Sequence, residues 1–180
     1  MTAKPLATIR HKTVVPQLNA ALQKLQKSMI YVGIAAGSKG DKREDGGPDN
    51  HLLGFIHERG SPAANIPPRP FLVPGIAEGR EKITAGLKAS VLAALHDDAK
   101  SMRKLMERTG MEAVSAVKQK MRNGPFVPLS PRTIQNRNRS RLAKSKRENE
   151  VQMTDIKPLL NTGALRDSLD YYVREEDGIT

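Results

Sequence analysis

The stretch Ile66-Pro67-Pro68-Arg69-Pro70-Phe71 opens a helical pattern that continues almost without a break to Asn123. Residues 61–70 contain four prolines, so this part of the chain is expected to be extended and stiff. After Phe71 the apolar residues recur at helical spacing in two groups. These are Ile83, Leu87, Val91 and Leu95, and then Met102, Leu105, Met106, Ala113, Val117 and Met121. The stretch therefore predicts a fold organised around one or two long helices.

Two positions inside this pattern predict an interruption. The apolar stripe changes phase at Asp97-Asp98, which indicates a break between two helices. Gly110 costs about 1 kcal/mol in a helix interior relative to alanine, and it predicts a bend in the second helix.

Shorter elements are predicted on both sides of the long helices. Pro16 can occupy the first position of an amphipathic helix that runs to Lys27. Residues 29–35 are rich in β-forming side chains, and residues 169–174 contain two adjacent tyrosines, so each predicts a strand. Together these elements predict an α+β fold with a small antiparallel sheet packed against the helices.

The rest of the chain predicts one short helix and three less regular segments around a single domain, residues 1–180. Residues 51–59 fit a helix, with Asn50 as its N-cap and Gly60 as its stop. The segments are a polar N-terminal arm, a mobile loop and a basic extended segment, at residues 1–15, 37–50 and 124–158.

Composition restricts the classes of protein to which the chain can belong. Apolar residues make up 38% of the chain and aromatic residues only 3%, so the core must be built from aliphatic side chains and methionine. This core is small for 180 residues, and we expect parts of the chain to become buried only against neighbouring subunits. The net charge of +11 favours a polyanionic partner, nucleic acid first, although an acidic protein remains an alternative.

No group of residues predicts catalysis, a cofactor site or a metal site. The chain has no cysteine, and no serine lies in a Gly-x-Ser-x-Gly frame. His57-Glu58 begins like a zincin motif, but Ser61 stands where the second histidine is required. His51 and His57 are six residues apart, which does not place them on one helical face. We therefore expect a protein that is not an enzyme.

The basic segment is the clearest candidate for contact with DNA or with a neighbouring subunit. Residues 129–147 contain no acidic residue, and seven cations could interact with phosphates through counterion release. No aromatic residue is interleaved with them for base stacking, so contact without sequence specificity is expected. A solvated loop without a ligand is the alternative. The seven are Arg132, Arg137, Arg139, Arg141, Lys144, Lys146 and Arg147.

Three segments carry a resemblance to a known family. The first is His57-Glu58-Arg59-Gly60 followed by Ile66-Pro67-Pro68-Arg69-Pro70-Phe71-Leu72. The second is Phe126-Val127-Pro128-Leu129-Ser130-Pro131-Arg132-Thr133-Ile134, and the third is Lys157-Pro158-Leu159-Leu160-Asn161-Thr162-Gly163-Ala164-Leu165-Arg166-Asp167-Ser168. In this order they resemble the tail-completion and virion-morphogenesis proteins of long-tailed phages, over residues 29 to about 173.

The resemblance implies a structural virion protein at the head-proximal end of a phage tail, assembled in the host cytoplasm. It implies a homo-oligomeric ring, six copies being the expected number, with other neck and tail proteins and the end of the packaged DNA as partners. The motif residues are expected to be structural, with Arg69 in a bidentate pair with a carboxylate and Thr162 capping a turn. They are Pro67, Arg69, Pro70, Phe71, Thr162, Gly163, Leu165, Arg166 and Ser168.

Two alternatives remain open at this point. One is another station in the same particle, such as a tail terminator, a head–tail adaptor or a minor tail protein. The other is a free nucleic-acid-binding protein, which predicts salt-sensitive binding by a monomer and no ring.

Overall fold

The structure is a computed structural model that describes residues 15–38, 40–43, 46–145 and 157–175. The strands are β1 (Ser28–Gly33) and β2 (Asp170–Glu175). The helices are α1 (Val15–Gln26), α2 (Asn50–Arg59), α3 (Leu72–Glu78), α4 (Arg80–Leu95), α5 (Ala99–Asn123), α6 (Pro131–Ser145) and α7 (Ala164–Asp167). Residues 1–14 of the predicted N-terminal arm lie outside the described residues. No described helix is both long and apolar enough to cross a membrane.

The sheet joins the two ends of the described chain. β1 and β2 pair antiparallel, with Ser28 opposite Glu175 and Gly33 opposite Asp170. Both strands pack against α5, which also contacts α3 and α4. The predicted α+β fold, a small antiparallel sheet on long helices, is therefore confirmed.

Helix α5 is the centre of the core because one of its faces is almost wholly apolar. Its buried residues include Met102, Met106, Ala113, Val117 and Met121, in agreement with the predicted stripe. The larger core cluster surrounds Val117 and Met121 with Phe71, Val114, Leu159, Leu165 and Leu169. A smaller cluster combines Met102 and Met106 with Ala94, against side chains of α1 and the sheet.

The predicted break between the long helices is confirmed. Helix α4 ends at Leu95 and α5 begins at Ala99. The Asp98 carboxylate accepts a hydrogen bond from the Ser101 backbone N–H at 2.9 Å, which caps α5. Helix α5 runs without interruption through Gly110 to Asn123, and the bend predicted at Gly110 stays a prediction. Gly110 is a packing position, since a β-carbon there would collide with the ring of Tyr171.

The face of α4 that packs against α5 is lined by small residues. Ser90 and Ala94 are buried, and a β-carbon at Gly86 would collide with the side chain of Thr109. The large apolar stripe of the same helix is left partly in solvent, with Leu87 41% and Leu95 43% exposed. Apolar periodicity thus marks a face of α4 that the described chain does not fully cover.

Two segments differ from the sequence prediction. The basic segment 124–158 is not extended throughout, because residues 131–145 form α6. The loop at residues 37–50 does not simply project, because Asp41 is 1% exposed and bonded to α2. Local composition predicted irregular structure in both places, but it does not reveal a helix over residues 131–145 or a contact between Asp41 and α2.

Close packing between α3 and α5 gives a first testable prediction. A β-carbon at Gly75 would lie 2.7 Å from the Val117 backbone Cα, which cannot move without shifting α5. Gly75→Ala is therefore expected to lower the free energy of unfolding by about 2 kcal/mol, measured by urea denaturation. Gly33→Ala is the matched control, since nothing lies within 4 Å of a β-carbon there. Equal stability of the two variants would contradict this account of the packing.

Candidate functional site, a cationic groove where three motifs meet

Glu58 serves as the cap of the helix that follows it in space. Its Oε2 accepts hydrogen bonds from the backbone N–H groups of Phe71 at 2.7 Å and Leu72 at 2.9 Å. Its Oε1 accepts another from the N–H of Val73 at 3.1 Å. An anion at a helix N-terminus satisfies donors that have no partner within the helix and interacts favourably with the helix dipole. Both carboxylate oxygens of Glu58 are thus engaged in holding α3.

Arg69 connects the first segment of the resemblance, in which it lies, to the second segment, residues 126–134. Its side chain is buried, with Nε donating to the carbonyl of Val127 at 2.7 Å and Nη2 donating to the carbonyl of Pro128 at 2.8 Å. Within the described residues, the guanidinium thus pairs with two backbone carbonyls, and the predicted pairing with a carboxylate stays a prediction. Extended backbone beyond α5 offers two adjacent carbonyl oxygens that match the guanidinium fork.

Arg137 connects α6 to the third segment of the resemblance, residues 157–168. Its Nη1 donates to the carbonyl of Lys157 at 3.0 Å and lies 3.5 Å from that of Leu160. The side chain of Arg137 therefore points toward the domain. By contrast, Arg132 and Arg139, seven residues apart on α6, are exposed. Of the predicted cations, Arg132 and Arg139 therefore face solvent, whereas Arg137 contacts the backbone of the domain.

The other predicted cations have no described side chain. The backbone of Arg141 and Lys144 belongs to α6, but their side chains are not described. Lys146 and Arg147 lie wholly outside the described residues.

Between the first two motifs lies a groove with a volume of about 690 Å³, here called the cationic groove. Three arginines line it, namely Arg59, Arg69 and Arg137. Within the described ranges of the chain, no acidic residue lines it. The remaining walls are apolar or uncharged, and they consist of His57, Gly60, Pro62, Asn65, Ile66, Pro67, Pro68, Pro128, Leu129, Ser130 and Thr133.

His57 lies where the cationic groove meets a smaller cavity of about 190 Å³ that the third motif lines. The backbone N–H of Arg69 donates to the His57 carbonyl at 2.7 Å, which holds the two residues side by side. The Nδ1 atom of the ring is buried without a hydrogen-bond partner in the described structure. Burial, and then the charges of Arg69, Arg137 and Arg43, lower the pKa of His57 to about 4. The imidazole is therefore neutral at physiological pH.

The third motif forms a capped turn, as the sequence predicts. The Thr162 hydroxyl accepts a hydrogen bond from the Ala164 N–H at 3.3 Å, and Gly163 has φ of 88°, in the left-handed region. Leu165 enters the core, and the buried Ser168 hydroxyl donates to the Leu165 carbonyl at 2.9 Å.

Arg166 pairs with its neighbour Asp167 at 2.8 Å. In the first motif, Phe71 is 2% exposed in the core, whereas Pro67 is half-buried and Pro70 is exposed. The motif residues therefore build the turn and the walls around the groove.

Asp41, Asp49 and His51 bring possible metal ligands within 4.8 Å of one another. However, the Asp41 carboxylate already accepts hydrogen bonds from the backbone N–H groups of Gly37 at 2.7 Å and His51 at 2.8 Å, and it contacts the His51 ring. Burial raises the pKa of Asp41, but these hydrogen bonds outweigh that effect and the net pKa is lowered. The contacts assign Asp41 to capping α2, a role that the sequence prediction gave to Asn50.

The comparisons with known proteins do not identify the chain. No protein-family model, curated protein or solved structure matches it.

Proposed function

We propose that this chain is a structural subunit that completes the head-proximal end of a phage tail and takes part in joining the tail to the head. The proposal combines the resemblance of the three motifs with two properties of the folded subunit. It exposes apolar side chains suited to contact with other subunits, and it presents a basic helix suited to DNA. Assembly as a ring around the DNA channel would use both.

The observation that carries the proposal is the apolar surface of two neighbouring helices, here called the α1/α4 surface. Helix α1 packs against α4, yet both expose large apolar residues. Leu92 is 58% exposed. Large apolar side chains exposed on two neighbouring helices suit an interaction site. The surface comprises Val15, Leu18 and Leu22 of α1, and Leu87, Val91, Leu92 and Leu95 of α4.

A second apolar group lies on other elements. Phe55 on α2 is 63% exposed and Val73 on α3 is 70% exposed, with Leu52 also exposed on α2. A closed ring needs heterologous contacts, in which one surface of a subunit meets a different surface of its neighbour. Exposed apolar residues on α2 and α3, in addition to those on α1 and α4, are compatible with this requirement.

The exposed cations of α6 supply the part of the proposal that concerns DNA. Arg132 and Arg139 face solvent, and residues 129–147 contain no acidic residue. Such a helix can approach phosphates without reading bases, because the attraction depends on charge and not on sequence. A DNA end could therefore occupy the ring channel without a specific site.

Size-exclusion chromatography with light scattering tests the assembly. The wild-type chain is expected to form a closed oligomer, and Leu92→Glu is expected to raise the concentration for half-assembly at least about tenfold. The reason is that a carboxylate buried at the contact loses its hydration. Met111→Glu, on an exposed position of α5, is the matched control and should assemble like the wild type.

A wild-type monomer at all concentrations would overturn the ring. If that monomer also bound duplex DNA with steep salt dependence, the second candidate function, free nucleic-acid binding through α6, would be favoured. Electron microscopy of a phage lacking the chain distinguishes the stations within a particle. Intact heads beside finished tails indicate the proposed joining role, whereas tails of abnormal length indicate a terminator.

A further inference from the structure

Arg69 is a buried cation whose charge is not neutralised within the described chain. Its side chain is 5% exposed, and no described carboxylate forms an ion pair with it. The carbonyls of Val127 and Pro128 satisfy two of its donors but carry no net charge. A guanidinium has five N–H donors, so donors remain for a further acceptor.

Glu58 does not supply the counter-charge to Arg69. Glu58 is next to His57 in sequence, yet both of its oxygens accept hydrogen bonds from the backbone of α3. Burying a charge is costly unless a counter-charge and hydrogen bonds compensate it. The described part of the chain therefore supplies no counter-charge to Arg69, and a carboxylate from another molecule would suit it.

We propose that the cationic groove binds an extended, carboxylate-bearing segment of a partner protein. Arg69 at the base of the groove receives a carboxylate, and Arg59 supplies further positive charge on the wall. The orphan Nδ1 of His57 adds a polar atom at the same place. The proposal concerns the groove alone and does not depend on the ring.

The shape of the groove favours a peptide over duplex DNA. Arg69 is almost entirely buried, so only a slender group such as a glutamate side chain can reach it. The apolar walls, which include Pro67, Pro128 and Leu129, suit the methylene groups of a peptide. Phosphates on a duplex lie along a broad cylinder and are better matched by the exposed cations of α6.

The test is the binding of tetraglutamate peptide to the full chain, measured by calorimetry, with tetraglutamine as the uncharged probe. Tetraglutamate is expected to bind at one site and tetraglutamine is not. Arg59→Glu, which reverses a charge on the groove wall, should weaken binding at least about tenfold. Arg80→Glu, at the start of α4 and outside the groove, changes net charge equally and should weaken it less than about twofold.

Arg69→Lys keeps the charge but not the fork geometry, and should also weaken binding at least about tenfold, with folding checked by circular dichroism. Absence of tetraglutamate binding to the wild type would overturn the proposal, as would equal weakening by Arg59→Glu and Arg80→Glu. A short duplex whose binding depends on Arg59 more than on Arg80, while that of tetraglutamate does not, would assign the groove to nucleic acid instead.

Discussion

Replacing Arg69 with methionine is expected to lower the free energy of unfolding by about 3 kcal/mol, as measured by urea denaturation. The side chain makes two charge-assisted hydrogen bonds, to the carbonyls of Val127 and Pro128, and each is worth about 1.5–3 kcal/mol. Removing a buried charge offsets part of that loss. The contact also connects residues 58 or more apart in the chain, so its loss should release the segment that follows α5.

The matched control is Arg59→Met, because Arg59 is an exposed arginine on the same groove. A surface substitution of this kind is expected to change stability by less than about 0.5 kcal/mol. If Arg69→Met and Arg59→Met unfolded at the same urea concentration, the structural role given to Arg69 would be wrong.

The regular elements were predictable because their signals are local. The stripe of Met102, Met106, Val117 and Met121 repeats at helical spacing over many turns, and it identified α5. The two strands were predicted for the same reason, since β-forming side chains cluster within a few residues. A small sheet and long helices together predict the α+β fold class.

The contacts that build the site were not predictable because they join residues far apart in sequence. Asp41 caps α2 from 10 residues away, and Glu58 caps α3 from 13 to 15 residues away. Sequence rules place the N-cap residue directly before the helix, and they therefore predict that Asn50 caps α2. The sequence predicts a bidentate contact for the Arg69 side chain, but nothing in it indicates that the acceptors are backbone carbonyls.

Helix α4 departs from the usual relation between amphipathicity and burial. Amphipathicity predicts that a stripe of large apolar residues faces the core. In α4 the small residues Ser90 and Ala94 face α5 and allow a close approach, while Leu87 and Leu95 stay partly exposed. The pattern is consistent with a second apolar environment outside the subunit, which is the basis of the assembly proposal.

His57 gives the second large prediction, a loss of stability as the pH falls. Burial and the charges of Arg69, Arg137 and Arg43 lower its pKa to about 4 in the folded chain, whereas an unfolded histidine has a pKa near 6.5. Between these values the unfolded chain binds a proton at His57 and the folded chain does not. The free energy of unfolding therefore keeps the full contribution of neutral His57 above pH 6.5. It falls by about 3 kcal/mol as the pH drops to 4.

The measurement is the free energy of unfolding by urea at pH 7, 6, 5 and 4, for the wild type and for His57→Gln. Carboxylates also titrate at the acid end, so the quantity of interest is the difference in slope between the two proteins. Glutamine cannot bind the proton, and the variant should lack about 3 kcal/mol of the decline. His96→Gln, at the exposed end of α4, removes a different histidine and leaves His57 intact, so it is the matched control. Parallel curves for wild type and His57→Gln would mean that burial and the three arginine charges do not hold His57 neutral.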